Sequence, residues 1–151
     1  MAIHMPVFGT RQRFGYGSTA ERFIVPVGRT LLALLFIVSA PHLIGGGATA
    51  QAQHHGVPLP TLFVPLAGII ALVGGLSVAF GYHARIGAGL LVLFLVPVTV
   101  FMHAFWSEPN PAAAQMLQAE FLKNMALVGA LLLVTYFGAG PVSADEWRRR
   151  M

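Results

Sequence analysis

Four long apolar segments dominate the chain, and each is continuous rather than alternating. They cover residues 23–44, 59–82, 86–106 and 116–137. A hydrocarbon core about 30 Å thick requires roughly 20 helical residues at about 1.5 Å each, so every segment is long enough to cross it. Continuous apolar runs favour helices over the strands of a membrane barrel, in which apolar and polar residues alternate. The pattern predicts an all-α, polytopic membrane protein built as a bundle of four transmembrane helices.

Composition agrees with this prediction and excludes the usual soluble classes. Of the 151 residues, 56% are hydrophobic and 9% are charged, against about 45–50% apolar and about 25% charged in average soluble chains. Too few polar side chains are present to cover a water-exposed surface. An ordinary cytosolic enzyme, a disordered tail and a coiled coil are therefore excluded. Cysteine is absent, which excludes disulfides, thiol catalysis and thiolate metal sites.

The basic residues predict the orientation in the membrane. They precede the first apolar segment, lie in the turn between the second and third, and follow the fourth, whereas the loops 45–58 and 107–115 contain no Lys or Arg. The positive-inside rule then places both termini in the cytoplasm. We interpret these cations as a topology signal facing the lipid bilayer, not as a nucleic-acid site. They are Arg11, Arg13, Arg22, Arg85, Arg148, Arg149 and Arg150.

Three regions follow from this layout. They are a cytoplasmic N-terminal segment (1–22), a membrane domain (23–145) and a basic cytoplasmic tail (146–151). Residues 31–44 followed by Ala48-Thr49-Ala50-Gln51-Ala52 also resemble a secretory signal with a cleavage site. More than 20 residues precede that apolar run, and the run is long enough to span a bilayer. A retained first helix is therefore favoured over a cleaved signal.

Small residues recur every four positions along the second segment, at Ala67, Ala71, Gly75 and Ala79. This spacing places them on one helix face, where a second helix can approach closely. Packing within one chain is the favoured interpretation for this face, which includes Gly75. An oligomer is the alternative.

A few polar residues lie inside the apolar segments, where such groups are costly and indicate function. The predicted directions place His42 and His103 near the outer face, together with Glu120 and Lys123 in the outer half of the fourth segment. Asn124 shares a helix face with them because the spacing is i, i+3, i+4. A pocket facing the bundle interior is the functional interpretation. A Glu120–Lys123 ion pair that neutralises itself is the structural alternative.

The ligand expected in this pocket is a quinone, although no cofactor is certain. We expect His103 and Lys123 to contact the quinone oxygen, His42 to relay protons, and Trp106 to line the ring. A haem held by two histidines is a weaker alternative, and no metal site is predicted. Arg29 lies in the inner half of the first segment and is expected to snorkel to head groups or to hydrogen-bond inside the bundle.

Three stretches resemble the DoxX family of small four-helix bacterial membrane proteins. They are Gly28-Arg29 with residues 31–39, the segment 74–106 from its paired glycines to Trp106, and residues 121–145. The resemblance covers residues 23–145 and implies a helical bundle in the bacterial inner membrane that is associated with redox complexes. The positions that match the family pattern are Arg29, His103, Trp106, Lys123, Asn124 and Asp145.

These observations lead to three functional hypotheses. The first is an integral subunit of a bacterial membrane redox system that binds quinone at the extracytoplasmic end. Because the chain has no evident redox centre of its own, other membrane or soluble redox subunits would carry the electrons, and whether the chain is an enzyme stays open. The second is a non-catalytic assembly or scaffold subunit of a larger membrane complex. The third, less favoured, is a small transporter.

Overall fold

The computed structural model describes the backbone of residues 19–151 and the side chains from residue 22 onward. Arg11 and Arg13, which contribute to the predicted orientation, lie outside the described residues, as does nearly all of the N-terminal segment 1–22. Residues 19–151 form helices and connecting turns, without a strand. The helices are α1 (Thr19–Ile44), α2 (Thr49–His54), α3 (Pro60–Phe80), α4 (Ala84–Met102), α5 (Pro111–Phe137) and α6 (Ala144–Arg148), with a 3₁₀ turn at Phe105–Ser107.

Four of the helices, α1, α3, α4 and α5, are long and apolar enough to cross a membrane. The predicted all-α bundle of four transmembrane helices is confirmed. The short helices α2 and α6 were not predicted. The largest difference in the bounds is the start of α5, which begins at Pro111 instead of residue 116. The Asn110 side-chain oxygen accepts hydrogen bonds from the amides of Ala112 (3.0 Å) and Ala113 (3.3 Å). This cap, with proline at the first helical position, explains the earlier start.

The long helices pack mainly against their neighbours in the chain. α1 lies along α3, α3 along α4, and α4 along α5, whereas α1 and α5 touch only over a short stretch. α3 and α4 therefore form the middle of the bundle. The Phe36 and Phe94 rings meet edge to face, with centroids 6.4 Å apart. The buried core residues are Ala33, Phe36, Ala40, Ala71, Val78, Ala88, Leu91, Leu95 and Leu131.

Two glycines of α3 let its neighbours come close on opposite sides. A Cβ added to Gly74 would lie 2.8 Å from Leu91 Cγ on α4. A Cβ added to Gly75 would lie 2.9 Å from Ile37 Cγ1 on α1. These distances are shorter than real carbon contacts, so any side chain there would push the helices apart. At Gly75, the small-residue face of α3 is thus occupied by α1 of the same chain.

Candidate functional site

All six arginines of the described residues lie at one end of the bundle. At this end α1 and α4 begin and α3 and α5 end, and we call it the arginine end. The opposite end carries α2 and is called the α2 end. Both contain residues that the sequence singled out, but they are built differently. The arginines of the first end are Arg22, Arg29, Arg85, Arg148, Arg149 and Arg150.

Arg29 joins three parts of the chain at the arginine end. Its side chain is only 6% exposed. Nε donates to the carbonyl of Ala79 (3.2 Å), Nη1 to that of Ala139 (2.5 Å) and Nη2 to that of Val142 (3.0 Å). The guanidinium is the side chain best suited to this task, because its planar fork carries five donors. α1, the end of α3 and the segment after α5 are therefore held together by one side chain, which bonds inside the bundle.

Asp145 closes the turn between α3 and α4. Its Oδ1 accepts from the amide of His83 (2.8 Å) and its Oδ2 from the amide of Ala84 (3.1 Å), at the start of α4. The Asp145 amide donates to the carbonyl of Gly81 at 2.9 Å. Gly81 has φ of +66°, and a Cβ there would lie 2.6 Å from Ser143 Cβ. Glycine is required at this position by both its backbone angle and its neighbours.

Two further arginines of this end, Arg85 and Arg148, lie near the same turn. Arg85 is exposed and lies beside Gly138, where an added Cβ would be 3.1 Å from Arg85 Nε. Arg148 Nη1 lies 2.9 Å from His83 Nε2, and its guanidinium is 5.5 Å from the centre of the Tyr82 ring. The chain after α5 therefore folds back onto the α3–α4 turn. The boundary between a membrane domain (23–145) and a cytoplasmic tail (146–151) stays a prediction.

At the α2 end the structure brings together part of the predicted polar cluster. His103 ends α4 and is half-buried, and its Nδ1 is buried without a hydrogen-bond partner among the described residues. Glu120, Lys123 and His55 lie near enough to act on it electrostatically. Glu120 and Lys123 form an ion pair, and their side chains are 40% and 49% exposed. This exposure is typical of the self-neutralising pair, which contributes about 1 kcal/mol or less.

The remaining predicted residues take other positions. His42 is exposed, its ring fills the space beside Gly47, and no hydrogen bond within residues 22–151 joins it to His103. Asn124 is buried on α5. Trp106 is 60% exposed and packs edge to face on Phe105 and Phe121, with centroids 5.2 and 5.9 Å away. The binding roles of His42, Trp106, Glu120 and Asn124 stay predictions, as do those of His103 and Lys123. Among the described residues, no three His, Asp or Glu side chains are grouped to hold a metal ion.

An apolar cavity of about 340 Å³ lies between α2, α3 and α4 at the α2 end. Every residue of its lining is apolar, and no residue predicted from the sequence to bind a ligand belongs to it. α2 covers it with Ala52, which is 2% exposed, while Gln51, Gln53 and His54 of that helix are exposed. The side chains that define its shape include Val57, Pro58, Ala67, Phe94, Pro97 and Phe101.

The cavity has the depth of one leaflet. Its lining on α4 extends from Leu93 to Met102, a rise of about 14 Å at about 1.5 Å per residue. Half of a hydrocarbon core of about 30 Å is about 15 Å. Pro97 lies in the middle of this wall and has no amide hydrogen, so the carbonyl of Leu93 lacks its usual helical donor there. This site has no signature in the sequence, because its residues are ordinary apolar ones.

Four apolar spans and these two contrasting ends define an integral, multi-pass membrane protein. The SURF4 family model matches residues 61–151, more than half of the chain. The chain therefore belongs to the SURF4 family. No solved structure matches it.

Two relatives are inner membrane proteins of Escherichia coli K12. The chain is 26% identical to YphA over 139 residues, covering 91% of this chain and 98% of that protein. It is 28% identical to YqjF over 122 residues, covering 81% and 89%. A third relative is the ER-derived vesicles protein ERV29 of Saccharomyces cerevisiae, 31% identical over 81 residues. Those residues are 54% of this chain but 26% of the yeast protein.

These comparisons correct two expectations. The DoxX resemblance is wrong, because the family shown is SURF4. The hypothesis of a quinone-binding redox subunit is also wrong, because the chain belongs to the SURF4 family and is similar to the yeast ER-derived vesicles protein. Quinone binding apart from a redox role is not tested by these comparisons and stays a prediction. The two bacterial relatives support the expected localisation, a multi-pass inner membrane protein.

Proposed function

We propose that the chain is a membrane-embedded binding protein that holds a hydrocarbon acyl chain in the cavity between α2, α3 and α4. The observation that carries this proposal is the lining itself, which is apolar throughout and extends over the depth of one leaflet. The volume of about 340 Å³ falls within the range of about 300–1,000 Å³ that is usual for ligand pockets.

Shape, not hydrophobicity alone, would select the ligand. An acyl chain that leaves the bilayer for the cavity exchanges one apolar environment for another, so the gain comes from packing. Phe94, Pro97 and Phe101 offer stiff surfaces on the α4 side, and Ala67 leaves room on the α3 side. The polar side chains of Gln51 and Gln53 lie on the exposed face of α2, at the level where a head group would be. We therefore expect a preference for chain length and saturation.

We also propose that the cavity lies in the outer leaflet, with both termini in the cytoplasm. Eight of the nine Lys and Arg residues lie at the arginine end or before it in the chain, and Lys123 is the ninth. This asymmetry is the one that the positive-inside rule describes. Because the natural chain has no cysteine, Gln53→Cys and Met151→Cys each introduce a single thiol. In intact cells an impermeant maleimide should label only Gln53→Cys. Labelling of Met151→Cys instead would show that the orientation is the opposite one.

The relatives support a binding role only in general terms. The name of the yeast relative places that protein in vesicles derived from the ER, and this chain aligns with about a quarter of it. The bacterial relatives are inner membrane proteins of nearly the same length as the matched region. The shared part is therefore a membrane-embedded unit that serves in more than one kind of membrane.

The proposal is tested with a phospholipid that carries a photoactivatable diazirine in its acyl chain. The full chain is reconstituted in vesicles containing this lipid, illuminated, and mapped by peptide mass spectrometry. We expect labelling at residues 93–102 to exceed that of the lipid-facing surface of α5. Ala67→Trp fills the cavity and should lower the labelling of residues 93–102 about fivefold or more, a change of about 1 kcal/mol in binding.

Ala126→Trp is the matched control, because Ala126 is exposed on α5 and does not line the cavity. Labelling of residues 93–102 should be unchanged in this variant. Equal labelling of both surfaces in the parent protein, or the same loss in both variants, would show that the cavity does not retain an acyl chain.

A further inference from the structure

A second groove, of about 500 Å³, lies at the arginine end, far from the cavity under α2. It is formed where the start of α1, the end of α3 and α6 meet. Arg22 comes from α1, Phe80 from α3, and Trp147 and Arg150 from α6 and the residues after it. The groove therefore combines two guanidinium groups with two aromatic rings, a different chemistry from that of the apolar cavity.

One acidic side chain, Glu146, also lines the groove, and it is already engaged. Its Oε1 accepts from Arg150 Nη2 at 2.5 Å, and its Oε2 accepts from the amide of Val142 at 2.8 Å. The hydrogen bond from Arg150 lowers the pKa of Glu146, helped by the Val142 amide and the charge of Arg22. The carboxylate is thus ionised at neutral pH. Two arginines against one carboxylate leave the lining positively charged, and an arginine bonded through one nitrogen retains further donors.

The aromatic residues distinguish this groove from a simple basic patch. Phe80, the last residue of the α3 span, is 68% exposed, and Trp147, which lines the same groove, is 65% exposed. Tryptophan is enriched at the level of lipid head groups because its ring is apolar and its N–H is polar. Exposed aromatic rings beside guanidinium groups suit a ligand with a phosphate and an apolar body. A free phosphate ion would make no use of the rings.

We propose that this groove binds the phosphate of an anionic phospholipid, with Arg22 and Arg150 donating to the phosphate oxygens and Phe80 and Trp147 against the glycerol and the first part of the acyl chains. Arginine is well suited to phosphate because its fork matches two oxygens at once. The site is independent of the acyl-chain cavity, since the two share no residue. Either proposal can therefore fail while the other holds.

The test uses Trp147 as the reporter. Trp106 is the second tryptophan of the chain, and Trp106→Phe leaves Trp147 alone in the full-length protein. This parent is reconstituted in phosphatidylcholine vesicles that contain phosphatidylglycerol with dibrominated acyl chains, which quench tryptophan on contact. At the same mole fraction, dibrominated phosphatidylcholine serves as the neutral comparison. We expect phosphatidylglycerol to occupy the groove about fivefold or more in preference to phosphatidylcholine.

Removing the groove arginines should abolish this preference. In the parent background, Arg22→Gln with Arg150→Gln should bring the ratio of the two lipids close to one. Arg148→Gln with Arg149→Gln removes the same charge from residues outside the groove and should retain most of the preference. Arg22→Gln alone leaves the Glu146–Arg150 pair intact and should give an intermediate ratio. Circular dichroism of each variant verifies that the helices are formed.

Three outcomes would overturn the proposal. The parent would show no preference, or the control pair would lose as much as the groove pair, which would indicate diffuse attraction to the surface. The third outcome concerns inorganic phosphate, with chloride at the same ionic strength as the control. Phosphate, but not chloride, would change Trp147 emission in pure phosphatidylcholine vesicles or would remove the preference for phosphatidylglycerol. The ligand would then be a soluble phosphate and not a lipid.

Discussion

The two ends of the bundle use their polar residues in opposite ways. At the arginine end, Arg29 and Asp145 each bond to groups from distant parts of the chain. At the α2 end, Glu120 and Lys123 bond to each other three residues apart, His103 Nδ1 has no partner among the described residues, and the cavity is lined by apolar groups alone. One end is tied by long-range hydrogen bonds, and at the other an apolar cavity remains between the helices. The bonds of Arg29 join α1, α3 and the segment after α5, and α3 continues from there to the wall of the cavity.

The largest effect should come from breaking the tie at Arg29. Arg29→Ala leaves three carbonyl groups without their donor, two of them after α5. Since a hydrogen bond to a charged group contributes about 1.5–3 kcal/mol, we expect unfolding free energy to fall by about 3 kcal/mol or more. Denaturant unfolding in detergent micelles measures this. His42→Ala at the α2 end should cost about 0.5 kcal/mol or less. Similar losses in both variants would contradict the contrast between the ends.

Asp145 should give the second largest effect. Asp145→Ala removes both acceptors from the first amides of α4, and loss of such a cap costs about 0.5–2 kcal/mol. Asp145→Asn keeps one side-chain acceptor and should lose about half as much. Hydrogen exchange of the amides at His83 and Ala84 gives a local measurement. If exchange there stayed as slow as in the parent, Asp145 would not be the cap.

Asn110 allows the same kind of interaction to be measured at the α2 end. Asn110→Ala removes the cap of α5 and should cost about 1 kcal/mol. Because no distant element depends on Asn110 in these bonds, the loss should stay within the first turn of α5. Hydrogen exchange should rise at Ala112 and Ala113 and not in α4. Faster exchange throughout the bundle would mean that the α2 end is as strongly coupled as the other.

The smallest effect concerns the Glu146–Arg150 pair and pH. The pKa of Glu146 is lowered in the folded protein, first by the hydrogen bond from Arg150. The pair therefore stabilises the fold above the ordinary carboxyl pKa, and this contribution is lost as pH falls through the lowered value. Surface pairs contribute about 1 kcal/mol or less, so the melting temperature of the parent should fall slightly more than that of Glu146→Gln between pH 7 and pH 3. Parallel pH profiles would show that the pair contributes nothing.

The spans could be predicted because membrane helices are encoded by run length, which requires no knowledge of the partner helix. α2 and α6 are too short for a periodic signal, and isolated helices of that length are unstable, so their presence depends on tertiary contacts. Arg29 was recognised as an unusual residue. Its acceptors are backbone carbonyls, which carry no signature in the sequence.

The candidate site was harder to predict than the fold. The polar residues inside the apolar segments predict a ligand pocket, and part of that predicted cluster does come together around His103. The cavity, in contrast, is the space that α2, α3 and α4 leave between them, and Ala67 or Phe101 on its wall resemble any other apolar residue of a span. The family resemblance is misleading because the stretches that carry it are mostly aliphatic, small and aromatic residues, which occur in membrane spans of many families.

The bonds of Arg29 also have a consequence for the order in which the protein is made. Its acceptors at Ala139 and Val142 lie 110 and 113 residues further along the chain. While the chain is being synthesised, the first helix must enter the bilayer with a cation whose partners do not yet exist. Such a helix is costly in lipid, and it gains its full stability only when the fourth span has been inserted and the segment behind it has folded back. The stability of the first helix therefore depends on a segment that is synthesised 110 residues later.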